Sequence, residues 1–222
     1  MSFGKCGSYI YPFNCCNPKS ASIQPTSQKT KHTEPTSLET KATEPTVKDK
    51  EDAALKIQSF YRGHLVRRQI EIDKVISTLK KGGTPEKDVN KIRERLYKSL
   101  ENGNLDLSYC QISDEILSQI LPLLSVLNIK ELDLVGNNIG PKGAIVLADA
   151  LKINTSLTHL NLGCNNIGDE GSTALAEALK INTSLTHLNL DCNYLGTEGA
   201  IALADALETN TSIKKLNLGR NQ

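Results

Sequence analysis

The sequence has no long hydrophobic run. Its richest apolar stretch, residues 116–129, is short and interrupted by Pro122, whereas a membrane-spanning helix needs about 20 apolar residues. The first residues, MSFGKCGSYIYPFN, contain no apolar core of the kind that a secretory signal carries. We therefore expect neither a transmembrane segment nor a secretory signal.

The six cysteines also lack the arrangement of a disulfide framework. Cys6, Cys15 and Cys16 crowd the start of the chain, and the other three are scattered along its second half. This distribution favours a reducing, cytoplasmic environment. Aromatic residues surround the first three cysteines, which makes them candidates for palmitoylation and membrane attachment. Free thiols are the alternative.

The net charge of +1 conceals an uneven distribution. Residues 51–100 hold twelve basic and seven acidic residues, whereas residues 101–222 hold seven basic and fourteen acidic ones. A nucleic-acid-binding protein would extend its positive surface over the folded domain. The acidic second half therefore argues against a nucleic-acid partner.

The first hundred residues fall into a tail and two helices. Residues 17–50 contain three large aliphatic residues and no aromatic, too little apolar surface to offset the entropy of ordering. We predict a disordered tail over residues 1–50 and a helix over 51–81, ended by two glycines. A second helix is predicted over 84–102, with Thr84 as its N-cap and Pro85 in its first turn.

From residue 105 onwards the chain repeats itself. Residues 132–159, 160–187 and 188–215 are three near-identical units of 28 residues, with a degenerate unit before them and a partial one after. Each unit joins an LxLxxN motif to an alanine-rich stretch. This pattern resembles the leucine-rich repeat family, in particular its ribonuclease-inhibitor-like class, which also occurs in NOD-like receptors. The resemblance implies an α/β solenoid over residues 105–222, with a parallel sheet on the concave side and helices on the convex side.

The same pattern predicts the details of each unit. The asparagine that ends each motif is expected to bond to backbone groups at the bend. Pro122 falls within the helix of the first unit, which it should kink or shorten. We expect a protein partner on the concave surface, at these positions: Glu131, Asp133, His159, Asn161, His187, Asn189 and Asp191.

Histidines and cysteines recur in neighbouring units, yet they do not predict a metal site. His159 and Cys164 are five residues apart along the chain, about 16 Å at ~3.3 Å per residue in a strand. A zinc ion needs every ligand within about 2.3 Å. Neither a nucleophile beside a base nor a phosphate-binding loop is apparent, so we expect no cofactor and no enzymatic activity.

Residues 56–70, KIQSFYRGHLVRRQI, carry four positive charges and no acidic residue. The segment fills every fixed position of the pattern I-Q-x-x-x-R-G-x-x-x-R. It resembles the IQ motif, a helix that binds calmodulin or a related EF-hand protein. The resemblance, together with the apolar pattern of the helix, implies these contact residues: Ile57, Gln58, Phe60, Tyr61, Arg62, Gly63, Val66, Arg67 and Arg68.

The apolar residues of this helix fall on two nearly opposite faces. Ile57, Tyr61 and Leu65 lie on one face, and Val66 and Ile70 lie on the other. A helix that packs on its own solenoid needs one such face, whereas a helix enclosed by a two-lobed partner needs two. The sequence thus favours a cytoplasmic, calmodulin-binding scaffold or adaptor, from a eukaryote or from a bacterium that delivers it into a host cell. The alternative is a leucine-rich-repeat sensor or inhibitor whose basic helix docks on its own repeats and does not bind calmodulin.

Overall fold

A computed structural model describes residues 47–221. The predicted acylation of Cys6, Cys15 and Cys16, and most of the predicted disordered tail, lie outside the described residues. The first helix, α1, spans Val47–Lys81. It begins four residues before the predicted start, so residues 47–50 are helical and do not belong to a tail.

Two helices precede the repeats. At the end of α1, Gly83 adopts a φ of 81°, and the Thr84 N–H donates to the Leu79 carbonyl at 3.1 Å. Helix α2 spans Glu86–Asn102 and ends at a left-handed Gly103. The expected Thr84 cap is wrong, because the N-cap is Pro85, and its carbonyl accepts the first backbone N–H groups of α2. Thr84 instead completes the end of α1.

The remaining elements alternate between short strands and helices. They are β1 Asn104–Asp106, α3 Asp114–Ile120, α4 Leu123–Val126, β2 Glu131–Asp133, α5 Pro141–Ile153, β3 His159–Asn161, α6 Gly168–Leu179, β4 His187–Asn189, α7 Thr197–Thr209 and β5 Lys215–Asn217. The strands form one parallel sheet in chain order. Pro122 separates α3 from α4, as expected of a ring that cannot donate a helical hydrogen bond. The predicted leucine-rich-repeat solenoid is confirmed.

Asparagines at the end of each LxLxxN motif tie neighbouring units together. The Asn137 amide oxygen accepts the N–H groups of Cys110 and Ile112 at 3.0 and 2.9 Å. Its amide nitrogen donates to the carbonyls of Leu107 and Leu134 at 2.9 and 2.8 Å. Each such asparagine therefore bonds to the preceding unit as well as to its own bend, which satisfies buried backbone groups that have no strand partner.

The second half of α1 closes the N-terminal end of the solenoid. Ile72, Ile76 and Leu79 are buried and belong to the same apolar core as α2 and the first repeat. This packing removes the first repeat's apolar end from water, as a capping element of a solenoid must. Within residues 47–221, no helix combines the length and the apolar character needed to span a membrane.

Candidate functional site

Helix α1 is divided by exposure into two halves. Every described side chain over residues 50–67 is exposed, including Phe60 at 70 %, Tyr61 at 68 % and Ile57 at 57 %. Exposure falls from Arg68 onwards, and Ile72 is fully buried. The IQ-like segment thus lies on the half of α1 that does not pack on the repeats.

The apolar stripe of α1 runs through both halves. At 100° per residue, Tyr61 and Leu65 lie on the same side of the helix as Ile72 and Leu79. Ile72 and Leu79 pack in the core with α2 and the first repeat. Tyr61 and Leu65 lie on the same side of the helix, before this packed half, and are exposed. Ile70, on the other face, is 48 % exposed. Docking of α1 on its own repeats therefore accounts for Ile72 and Leu79 and leaves both apolar faces of the IQ-like segment uncovered.

The polar residues of the IQ-like segment are not engaged by the rest of the described chain. The side chains of Arg62 and Arg67 form no ion pair within residues 47–221. A Cβ placed on Gly63 would meet nothing within 4 Å, so packing within the protein does not explain this glycine. Arg68 differs from the other predicted contact residues. It is half-buried at the junction with the cap, and its Nε atom has no hydrogen-bond partner.

The five strands line a concave trough of about 1010 Å³. Six of the seven residues predicted for the partner surface line this trough; Asp191 does not. It lies beyond β4 and forms an ion pair with Arg220, which holds the pKa of the Asp191 carboxyl below its usual value. Asn104 and Asp106 also line the trough. These two residues were not predicted, because the first unit is degenerate and one residue shorter than the others.

His159 and His187 stack in the middle of the trough, with ring centroids 4.1 Å apart and planes 14° from parallel. The Thr158 hydroxyl donates to the Lys130 carbonyl at 3.0 Å and lies 2.9 Å from the Nδ1 atom of His159. The same arrangement joins Thr186 to His187. In this arrangement a ring that carries its proton on Nδ1 can donate to the hydroxyl and leaves Nε2 as a hydrogen-bond acceptor.

The second row of the trough is an ordered ladder of amides. Asn189 donates to the Asn161 side-chain oxygen at 2.8 Å, and Asn161 donates to Asp133 at 3.0 Å. Each of these acceptors also receives a backbone N–H two residues further along its own chain segment. These bonds fix the amide orientation, so the trough presents donors and acceptors in a defined order.

Charge changes sign along the trough. Glu131 and Asp133 lie toward its first strand, and Lys214 and Lys215 lie at its last. Burial lowers the pKa of His187, and the neighbouring His159, Lys215 and Lys214 lower it further. Among the residues that the structure describes, no group of three or more histidine, cysteine or carboxylate side chains is placed to hold a metal ion. The trough thus presents carboxylates toward one end and lysines at the other.

Comparison with protein-family models supports both the leucine-rich repeats and the IQ-like segment. A model described as "Leucine Rich repeat" matches residues 104–121, 127–148, 154–176 and 182–204. A model described as "IQ calmodulin-binding motif" matches residues 51–71. The chain therefore carries leucine-rich repeats preceded by an IQ calmodulin-binding motif. The match does not specify a subclass of repeat, so the ribonuclease-inhibitor-like class stays a prediction.

Solved structures resemble more than half of the chain. Leiomodin-1 Actin-Binding Site 2 matches with a TM-score of 0.50 and 26% identity, over 55% of this chain and 75% of that one. The tropomodulin C-terminal domain from Caenorhabditis elegans matches with a TM-score of 0.49 and 19% identity, over 60% of this chain and 81% of that one. A search of curated protein sequences found no match. Leucine-rich repeats and IQ motifs both serve in protein–protein interaction.

Proposed function

We propose that the protein is a non-enzymatic adaptor that binds calmodulin, or a related EF-hand protein, through α1 and recruits a second protein through its repeats. The observation that carries this proposal is the division of α1. The complete IQ motif lies on the exposed half, with two uncovered apolar faces. The other half is buried in the cap of the solenoid.

The chemistry of the exposed half suits a calmodulin lobe. Calmodulin offers methionine-rich apolar grooves that adapt to large side chains. By resemblance to IQ motifs, Ile57 inserts into one such groove and Gln58 bonds to the backbone of that lobe. Arg62 and Arg67 meet carboxylates. The open space around Gly63 allows a partner helix to approach closely.

The continuity of α1 gives the adaptor a defined geometry. No break separates the IQ motif from the cap within Val47–Lys81. Ile70, an exposed apolar residue at the end of the motif, lies two residues before the buried Ile72. A partner that encloses the helix as far as Ile70 therefore sits against the cap, and α1 holds it in a fixed orientation relative to the trough.

Paired variants test the calmodulin site. The double variant Ile57→Ala/Gln58→Ala removes the side chains that would be buried in the calmodulin lobe, whereas Arg67→Ala removes a charge at the edge of that contact. Buried anchors mainly set dissociation, and rim charges mainly steer association. We expect the double variant to lose more affinity than Arg67→Ala, and raised salt to slow association. Equal affinity of the double variant and the unmodified chain, measured by fluorescence anisotropy with labelled calmodulin, would contradict the proposed site.

The concave trough is the proposed surface for the second partner. Its carboxylates toward the first strand and its lysines at the last fit a protein surface with the opposite order of charges. Actin is the first candidate to test, because the leiomodin-1 region that resembles these repeats is described as an actin-binding site. We expect Glu131→Lys, in the trough, to weaken co-sedimentation with actin filaments. Glu170→Lys, a matched exposed change on α6, should not. Absence of co-sedimentation with the unmodified chain would exclude actin and leave the calmodulin site unaffected.

Two further predictions concern location. A cytoplasmic protein fits the adaptor function, since calmodulin and actin are cytoplasmic. Acylation of Cys6, Cys15 and Cys16 would add membrane attachment, because two acyl chains anchor a protein stably where one is marginal. Replacement of all three cysteines by serine should then move the protein from the membrane fraction to the cytosol.

A further inference from the structure

Two partly exposed cysteines occupy the same position in neighbouring repeats. Cys164 follows β3 and Cys192 follows β4, and both adopt left-handed backbone conformations with φ of 52° and 55°. The same row of turns continues with Arg220 at φ 50°. Cys110, in the first unit, is buried. Cys164 and Cys192 therefore lie on two accessible, neighbouring turns, whereas Cys110 is not accessible.

The backbone holds the two cysteines at the spacing of adjacent strands. The Cys164 N–H donates to the Asp191 carbonyl at 2.8 Å, and the Cys192 N–H donates to the Gly219 carbonyl at 2.9 Å. These bonds continue the parallel pairing of β3, β4 and β5 into the turns. Neighbouring strands are about 4.8 Å apart, which lies within the range of about 4.4–6.8 Å between the Cα atoms of a disulfide.

The surroundings of the Cys164 thiol keep it mostly protonated, which makes its oxidation slow. Burial raises the pKa of the Cys164 thiol, the neighbouring Cys192 raises it further, and the Arg220 guanidinium opposes both effects. Thiolate is therefore scarce at neutral pH and increases as the pH rises. A disulfide on partly exposed turns is open to attack by another thiol, so a reductant can break it again.

We infer that Cys164 and Cys192 form a reversible intramolecular disulfide when the protein meets a hydroperoxide. The thiolate of one cysteine attacks a peroxide oxygen, the O–O bond breaks, and the product is a sulfenic acid and hydroxide. The second thiol then attacks the sulfenic sulfur, the S–S bond forms, and water leaves. With hydrogen peroxide, the two thiols lose two electrons and two protons in total, and the peroxide becomes two molecules of water.

Peptide mapping of the full chain tests this site. Trypsin cleaves after Lys152, Lys180 and Lys214, so each cysteine falls in its own peptide, residues 153–180 and 181–214. The chain with Cys6, Cys15 and Cys16 replaced by serine is treated with hydrogen peroxide at pH 8, alkylated and digested without reductant. We expect the two peptides to be joined, at their summed mass less two hydrogens. Dithiothreitol should separate them, and non-reducing electrophoresis should show a monomer.

A matched variant and three outcomes make the inference falsifiable. Cys192→Ser should abolish the joined peptide and leave Cys164 as a sulfenic or sulfinic acid. Overoxidation of both cysteines without a joined peptide would overturn the inference, as would linkage between two chains. Linkage of either cysteine to Cys110 would also overturn it. Faster formation at pH 8 than at pH 6.5 is expected, because the thiolate is the attacking species.

Discussion

Truncating the same residue type in the two halves of α1 should lower the free energy of unfolding strongly in one half and hardly at all in the other. Ile72 is fully buried in the cap, whereas Ile57 is 57 % exposed. Ile72→Ala removes three carbons, worth about 2.4 kcal/mol at about 0.8 kcal/mol each, and leaves a cavity that brings the loss to about 2–5 kcal/mol. Ile57→Ala changes an exposed side chain, and we expect an effect within about 0.5 kcal/mol.

Urea unfolding of the full chain, followed by circular dichroism, measures both values. A second pair, Leu79→Ala in the cap and Leu55→Ala on the exposed half, repeats the comparison with another residue type. Calmodulin binding should show the reverse order, with Ile57→Ala the more harmful change. If Ile57→Ala destabilises the folded chain as much as Ile72→Ala does, the exposed half of α1 is packed in solution and our description of the helix is wrong.

Three other predictions concern the solenoid. Asn165→Ala should cost about 1–3 kcal/mol, because it leaves the buried Ile139 N–H without its partner and removes one donor each from the carbonyls of Leu134 and Leu162; Asn161→Ala, at the open trough, should cost less in the same urea assay. The lowered pKa of His187 means that the unfolded chain binds more protons below about pH 6.5. Stability should therefore fall as the pH drops through that range, and a His187→Gln variant with an unchanged pH slope would refute this cause. Residues 208–221 should exchange amide hydrogens faster than residues 160–190, because β5 pairs only with β4 among the described strands; equal protection in a dilute monomer would contradict it.

The repeat period made the arrangement of the sheet predictable. Units of equal length that stack must place equivalent residues side by side, and the strand pairing does so for Glu131, His159, His187 and Lys215. The asparagine bends were also predictable. Their bonds to the preceding unit were not, because a motif within one unit does not show which backbone groups of its neighbour lack partners.

The division of α1 could not be predicted. Tyr61, Leu65, Ile72 and Leu79 share one side of the helix, with Arg68 between the exposed and the buried pair, so the spacing of the apolar residues alone does not show which of them are docked. The boundary near Arg68 arises where the cap ends, which depends on the tertiary packing of α2, α3 and α4 against α1. Thr84 was misassigned for a related reason. Its backbone N–H donates to Leu79 at the end of α1. The N-cap preference of threonine considers only the helix that follows, and here the preceding helix α1 uses the same residue.

The central claim is that the exposed half of α1 binds calmodulin while the rest of the chain stays folded. Isothermal titration calorimetry of the full chain with calmodulin, in calcium and in chelator, tests it most directly. By resemblance to complete IQ motifs, we predict binding of one calmodulin per chain in both conditions, with calcium changing the affinity. The Ile57→Ala/Gln58→Ala variant serves as the control and should bind more weakly. Absence of heat from binding in both conditions would contradict the account and would leave α1 with a capping role alone.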